Sequence, residues 1–219
     1  MPGWGSERTA KLYFYTVTEP HLLLGFFWIL FGVFHSVLAS GRFKRALFKR
    51  LPGLRPYYRV AYILFAFASF GAVLWYQLRI DSPRLLPPAW RPLGWTLGAL
   101  GALLMAVCIK KYFLSLSGLR SLFEHRELAP ELRIDGVHRY VRHPLYLGTF
   151  LFIWGLFFLF PTLSLLIGNI VIHGYTLLGI RYEEAKLLKD FGDSYRDYQR
   201  RVPRLLPLGR TRPAPRPPR

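Results

Sequence analysis

Two short stretches hold most of the side chains in this 219-residue chain that are able to do chemistry. The first runs Gly136-Val137-His138-Arg139-Tyr140-Val141-Arg142-His143-Pro144-Leu145-Tyr146-Leu147-Gly148, and the second is Arg181-Tyr182-Glu183-Glu184. Each adjoins an apolar run, and ionisable groups are costly to bury at a bilayer boundary, so their convergence on neighbouring helices marks a site. Pro144 suits a first helical turn, after which His143, Tyr146, Leu147 and Phe150 fall on one face. Such a set suits the binding and alignment of a charged small molecule. The sequence has no Ser/His/Asp set, no glycine loop for phosphates and no metal-ligand spacing, so no metal is expected. The lone Cys108 sits in an apolar run and reads as a small buried residue. Singly, Arg142 and Arg181 read as interfacial anchors, Tyr140 and Tyr146 as interfacial aromatics, and the Glu pair as a solvated helix face. Jointly, His-Pro at a helix start, Tyr and Gly just beyond, and Arg-x-Glu-Glu after a tight hairpin exceed what anchoring requires.

The elements that must position these groups are apolar. Hydrophobic residues make up 52% of the chain and aromatics 17%, gathered into runs near the ~20 residues that cross a bilayer. The pattern predicts an all-α integral membrane bundle of about five transmembrane helices, at 20–40, 58–78, 91–110, 144–160 and 162–180, forming one membrane domain. Only Pro161 separates the last two, which predicts a tight antiparallel hairpin that brings the two clusters together. Gly94, Gly98 and Gly101 recur on one side of the third helix and favour close packing. Residues 112–143 are too polar to cross and read as a cytoplasmic segment, residues 181–207 read as a cytoplasmic amphipathic helix with a break at Gly192, and 208–219 as a disordered tail. Met1 to Glu19 carry both charge signs and do not resemble a cleaved signal peptide.

The net charge of +18 could suggest nucleic acid, but its basic residues sit between apolar runs instead of forming a stripe on a soluble domain. No nucleic-acid partner is expected. Twenty-five of the thirty Lys and Arg lie in 41–59, 110–144 and 181–219. With five crossings those loops share one side, so the positive-inside rule predicts an outside N-terminus and a cytoplasmic C-terminus in a bacterial inner membrane.

The stretch from Gly136 to Pro207 resembles the isoprenylcysteine carboxyl methyltransferase and phospholipid methyltransferase superfamily. There an Arg-His-Pro-x-Tyr-x-Gly motif and a Glu-Glu pair flank a helical hairpin. Phe191-Gly192, Tyr195, Tyr198 and Arg201-Val202-Pro203 are similar to that family's C-terminal pattern. Phe34-His35-Ser36, Lys44, Arg59 with Tyr62, and the stretch from Lys111 to Arg120 resemble its bacterial branch of NnrU-like proteins and methanethiol S-methyltransferases. The resemblance implies an S-adenosyl-L-methionine site at the cytoplasmic end of the hairpin. It is built from Arg142, His143, Pro144, Leu145, Tyr146, Glu183 and Glu184, with His138 where the family usually carries an aromatic, and a further contact near 130–133. A Glu would pair the donor's ammonium, while Arg142 or backbone N–H groups at a helix start receive its carboxylate. Catalysis is assigned to Arg181 and Glu184; a basic neighbour such as Arg181 or a histidine would favour a thiolate acceptor. The implied acceptor is a small thiol or lipid-like molecule entering from the bilayer.

Two other readings stay open. His35 and His173, inside apolar helices, could ligate haem or line a quinone site, although hydrogen-bonded packing is simpler. A non-catalytic protein supporting assembly of a respiratory or denitrification complex is the other.

Overall fold

The computed structural model describes residues 4–116, 132 and 134–207, the side chains of 4–17 and 111–116 excepted. The described residues form seven α-helices: α1 (Trp4–Ala39), α2 (Gly41–Arg50), α3 (Tyr58–Arg79), α4 (Arg91–Leu116), α5 (Pro144–Leu159), α6 (Leu163–Phe191) and α7 (Asp193–Arg201). Stretches of α1, α3, α4 and α6 are long and apolar enough to cross a bilayer, and α5 is a shorter apolar helix of 16 residues. The protein is an all-α membrane bundle, in keeping with its apolar runs. Closed helices are what a bilayer demands, because each satisfies its own backbone N–H and C=O groups where no water can.

Helices run beyond the spans read from the sequence, α1 starting at Trp4 and α4 continuing to Leu116, and two further features differ. The basic stretch after α1 contains a helix, α2, whose N-terminus is capped by the Ser40 hydroxyl accepting from Phe43 N–H at 3.2 Å. Helix α6 does not stop at Arg181 but continues to Phe191, so Glu183 and Glu184 stand on the same rigid element as the span. The break comes at Gly192, whose φ of +54° favours glycine, and α7 follows as a separate helix. The predicted tail at 208–219, and 117–131 within the polar connection, lie outside the described residues.

The described residues cluster into two compact units, one made of those up to Ala89 with Phe160–Ile172, the other of those in Trp90–Leu159 with those from His173 onward. In the first, Leu24, Trp28 and Val73 form a buried core joined by Phe27, Phe31, Tyr76 and Ile167. Gln77, buried in this apolar setting, accepts from Trp28 Nε1 at 2.7 Å, which satisfies both groups where an unpaired one would cost several kcal/mol. Gly168 approaches the pair so closely that a Cβ there would lie 2.8 Å from Gln77 Oε1. His35 meets the Tyr62 hydroxyl at 3.0 Å.

The second unit rests on α4 against α5. A Cβ on Gly94 would fall 2.9 Å from Gly155 O, and one on Gly148 would fall 3.1 Å from Gly101 O, so the two backbones touch through glycines. The opposite face of α5 meets the second half of α6. Phe150 stacks on His173 with centroids 3.9 Å apart, whereas Tyr146 reaches Glu183, so within this unit the two helices run antiparallel.

Candidate functional site

Glu184 is the centre of the cluster. It lies at the core-facing side of α6, 4% exposed, and both carboxylate oxygens are engaged. Oε1 accepts from Arg142 Nε at 2.9 Å and Nη2 at 2.8 Å, and lies 3.1 Å from His143 Nε2. Oε2 accepts from Arg204 Nη2 at 2.7 Å and Nε at 3.1 Å. Two guanidinium groups gripping one carboxylate supply the charge-assisted bonds that make its burial tolerable. The Nη1 of Arg142 donates to the carbonyls of Gln199 and Val202, tying α7 and its C-terminal exit to the same point.

A backbone strap completes the knot. Arg142 N–H donates to Pro203 O at 2.9 Å and His143 N–H to Arg204 O at 3.1 Å, just ahead of Pro144, which opens α5. Beneath the strap Tyr195, Tyr198 and Val202 are buried with Leu132, Ile134, Leu187, Leu188 and Phe191. The amphipathic spacing of 187, 188 and 191 therefore serves packing against α7. Tyr198 Oη donates to the His138 carbonyl at 2.6 Å, and Gly136, with φ of +56°, opens the 3-10 turn that carries His138.

Glu183 is placed differently. Its side chain is 44% exposed, and it accepts a 3.0 Å bond from Tyr146 Oη while His143 Nδ1 stands 3.9 Å away. The rings of His143 and Tyr146 stack at 5.7 Å. Glu183 is the open carboxylate of the pair, and Glu184 is the one already spent.

The structure brings together Arg142, His143, Pro144, Tyr146, Glu183 and Glu184. Leu145 is half-buried beside them, and His138 joins through its backbone carbonyl. It does not bring in Arg181, which is exposed and makes no ion pair or hydrogen bond among the described residues. Of the stretch near 130–133, Leu132 packs under the strap and the others lie outside the described residues. Arg204 is the member that sequence reasoning missed. It sits near the end of the 181–207 stretch read as amphipathic, and its one signal is the position directly after Arg201-Val202-Pro203.

The Tyr195 hydroxyl is buried with no hydrogen-bond partner among the described residues. Burial first, then the charge of Glu184, pushes its phenol up to about 12 from an ordinary value of 10.0. The folded state thus holds this proton more tightly than the unfolded chain does. The stability this gives is complete below about pH 10 and fades as pH rises towards about 12. Tyr195→Phe is expected to flatten that alkaline loss and, by deleting an orphaned polar group, to keep or raise the melting temperature at pH 7. Melting curves from pH 8 to 12 check this; a variant that melts several degrees lower at pH 7 would show that the hydroxyl has a bonding role.

An all-α membrane bundle that carries an Arg-His-Pro-x-Tyr-x-Gly turn bound to a Glu-Glu pair defines a class, that of the membrane methyltransferases. Residues 91–202 match a family described as a protein of unknown function (DUF1295). The chain is 30% identical over 202 residues to a methanethiol S-methyltransferase of Crocosphaera subtropica, covering 82% of this chain and 71% of that one. It is 33% identical over 192 residues to a methanethiol S-methyltransferase of Mycobacterium tuberculosis, covering 82% and 76%. A protein-S-isoprenylcysteine O-methyltransferase of Schizosaccharomyces pombe is 40% identical over 75 residues, 34% of this chain and 32% of that one. No solved structure matches. The chain belongs to the isoprenylcysteine carboxyl methyltransferase and phospholipid methyltransferase superfamily, within the DUF1295 family and alongside methanethiol S-methyltransferases.

Proposed function

We propose that this protein is an S-adenosyl-L-methionine-dependent methyltransferase of a bacterial inner membrane, acting on a small thiol from the bilayer. The excess of Lys and Arg in three loops favours an outside N-terminus and a cytoplasmic C-terminus, with the donor site at the cytoplasmic face. The observation that carries the reading is the division of labour in the Glu pair. A buried, fully bonded Glu184 fixes the turn, and a half-exposed Glu183 one residue earlier stays free to pair a cation.

The residues fit the donor. Its ammonium suits Glu183, which Tyr146 Oη steadies. Its carboxylate needs N–H donors, and Arg142 has spent its own on Glu184 and two carbonyls. The N–H groups of Arg142 and His143 are taken by the strap, which leaves those of Leu145 and Tyr146 in the first turn of α5. The bound donor supplies a methyl group on a sulfonium, so the chain has only to align, desolvate and exclude water. The thiol acceptor follows from the relatives named methanethiol S-methyltransferases.

Calorimetric titration of the detergent-purified protein with S-adenosyl-L-methionine tests the proposal. Saturable binding is expected, weakened about 10- to 100-fold in Glu183→Gln, since one charge-assisted bond is worth about 1.5–3 kcal/mol. A folded wild type that binds no donor would overturn it.

A further inference from the structure

The N-terminal direction of α6 holds a polar group that the donor site does not use. His173 stands on the helix face that also carries buried Ile180 and Glu184, ten residues before Glu183 and so about 15 Å along the helix. Its ring stacks on Phe150 at 3.9 Å, with 22° between the planes, and Trp154 Nε1 donates to its Nδ1 at 3.3 Å. That indole bond decides the tautomer. An Nδ1 that accepts carries no proton, so the neutral ring bears its hydrogen on Nε2. Nε2 has no hydrogen-bond partner among the described residues, and the ring is only partly covered. An unpaired N–H inside a bilayer-spanning helix is a costly thing to keep, and a ligand that accepts from it removes the cost.

The position relative to the donor site is equally specific. Tyr146, Phe150 and Trp154 follow one another at i, i+4 and i+8 along α5, a continuous aromatic file. Tyr146 at one end bonds Glu183, and Phe150 and Trp154 at the other hold His173. Phe150 is buried behind the imidazole and Trp154 is half-buried beside it, so the one open polar group of this nest is a fixed donor.

We infer that the nest of Phe150, Trp154 and His173 is the subsite for the methyl acceptor, with the Nε2–H of the part-exposed His173 donating to the sulfur of a small thiol while buried Phe150 holds the imidazole from behind. The inference rests on the methyltransferase reading for the reaction, but the binding it describes needs no donor. A donor N–H favours the anionic over the neutral thiol, and the aromatic surroundings of the imidazole suit a short alkyl chain. His173 is thus assigned to acceptor recognition, and Trp154 is the residue that positions it.

Two readouts on the detergent-purified full chain test this. Calorimetric titration with ethanethiol and with butanethiol, in the absence of any donor, is expected to give saturable binding that weakens at least about tenfold in His173→Phe, which keeps the stack and loses the N–H. In turnover, the KM for thiol is expected to rise by a similar factor while affinity for S-adenosyl-L-methionine stays within twofold. Trp154→Phe, which frees the ring without removing it, is expected to fall between. Unchanged thiol binding in His173→Phe would overturn the subsite, as would absence of thiol binding to wild type. Parallel loss of donor binding in both variants would also overturn it, by showing the nest to be packing alone. If wild type binds thiols, with the loss in His173→Phe, but no donor, the methyltransferase reading fails and what stands is a thiol site at His173 with no role in methyl transfer.

Discussion

Glu184→Ala is expected to be the most destabilising single substitution at the site, costing about 3–5 kcal/mol, because it strips the counter-charge from a buried guanidinium. The Arg142 side chain is 8% exposed and that of His143 4%, so neither can turn to water when the carboxylate goes. Arg204, at 48% exposure, can escape, and its departure would loosen the 203–204 strap whose carbonyls receive the N–H groups of Arg142 and His143. For a chain of this size, 1 kcal/mol shifts the melting temperature by about 2–4 °C, so a fall on the order of 10 °C is expected in detergent. Glu184→Gln keeps the shape but turns an N–H₂ towards one guanidinium, so a smaller loss is expected. Glu183→Gln, which removes one half-exposed group with a single bond, is expected to melt within a few degrees of wild type while losing donor affinity. Thermal melts of the three variants beside donor titrations separate the roles. A Glu184→Ala protein that melts like wild type would refute the assignment of Glu184 as the structural member of the pair.

The split between the two glutamates was beyond the sequence. Glu-Glu after a span is legible as an acidic pair near a cluster, and the apolar run before it places the pair at a membrane boundary. Which of the two is buried depends on the phase of α6, and that phase is visible only once the helix is seen to continue past Arg181 to Phe191. The sequence reading stopped the span where hydrophobicity stops, because a change of composition marks the end of the apolar environment and not of the helix. Arg181 follows from the same geometry. Ile180 and Glu184, four residues apart, share the buried face, and Arg181 stands one residue beyond Ile180 on the exposed side. Arg204 was illegible for another reason: a proline-flanked arginine near a basic tail has no periodicity, and its partner is 20 residues back in the chain. By contrast, the Pro144 start of α5 and the Gly192 break follow from single residues with strong backbone preferences, and both were readable.

Gly101→Ala is expected to disrupt the second unit, whereas Gly98→Ala, on the same glycine series of α4, is expected to be tolerated. The sequence cannot tell these positions apart, since both belong to the spacing that favours close helix approach. A Cβ on Gly101 would strike the Phe152 amide nitrogen, with Gly148 O at 2.7 Å and Phe152 Cα at 2.9 Å, and all three are backbone atoms that no rotamer change can move. A Cβ on Gly98 would meet nothing within 4 Å. Its small size matters through its backbone, because a Cβ on Gly155 of α5 would strike the Gly98 amide nitrogen. Overpacking of this kind costs about 1–3 kcal/mol for a single methyl group, and Gly101→Leu is expected to yield no folded protein. Gly98→Ala gains helix propensity, worth up to about 1 kcal/mol in soluble helices, and loses no contact. The damage at Gly101 is expected to reach the candidate site, because Gly148, which faces it, is two residues from Tyr146 on the same helix. Forcing α4 and α5 apart moves the turn that presents Tyr146 to Glu183. Monodispersity in detergent, melting temperature and donor affinity, measured for Gly98→Ala, Gly101→Ala and Gly155→Ala, give the comparison. The expected order is wild-type behaviour for the first and a fall in all three measures for the other two. Equal tolerance at Gly98 and Gly101 would mean that α4 and α5 do not meet through their backbones, and the file of side chains that α5 presents to α6 would then have no fixed base.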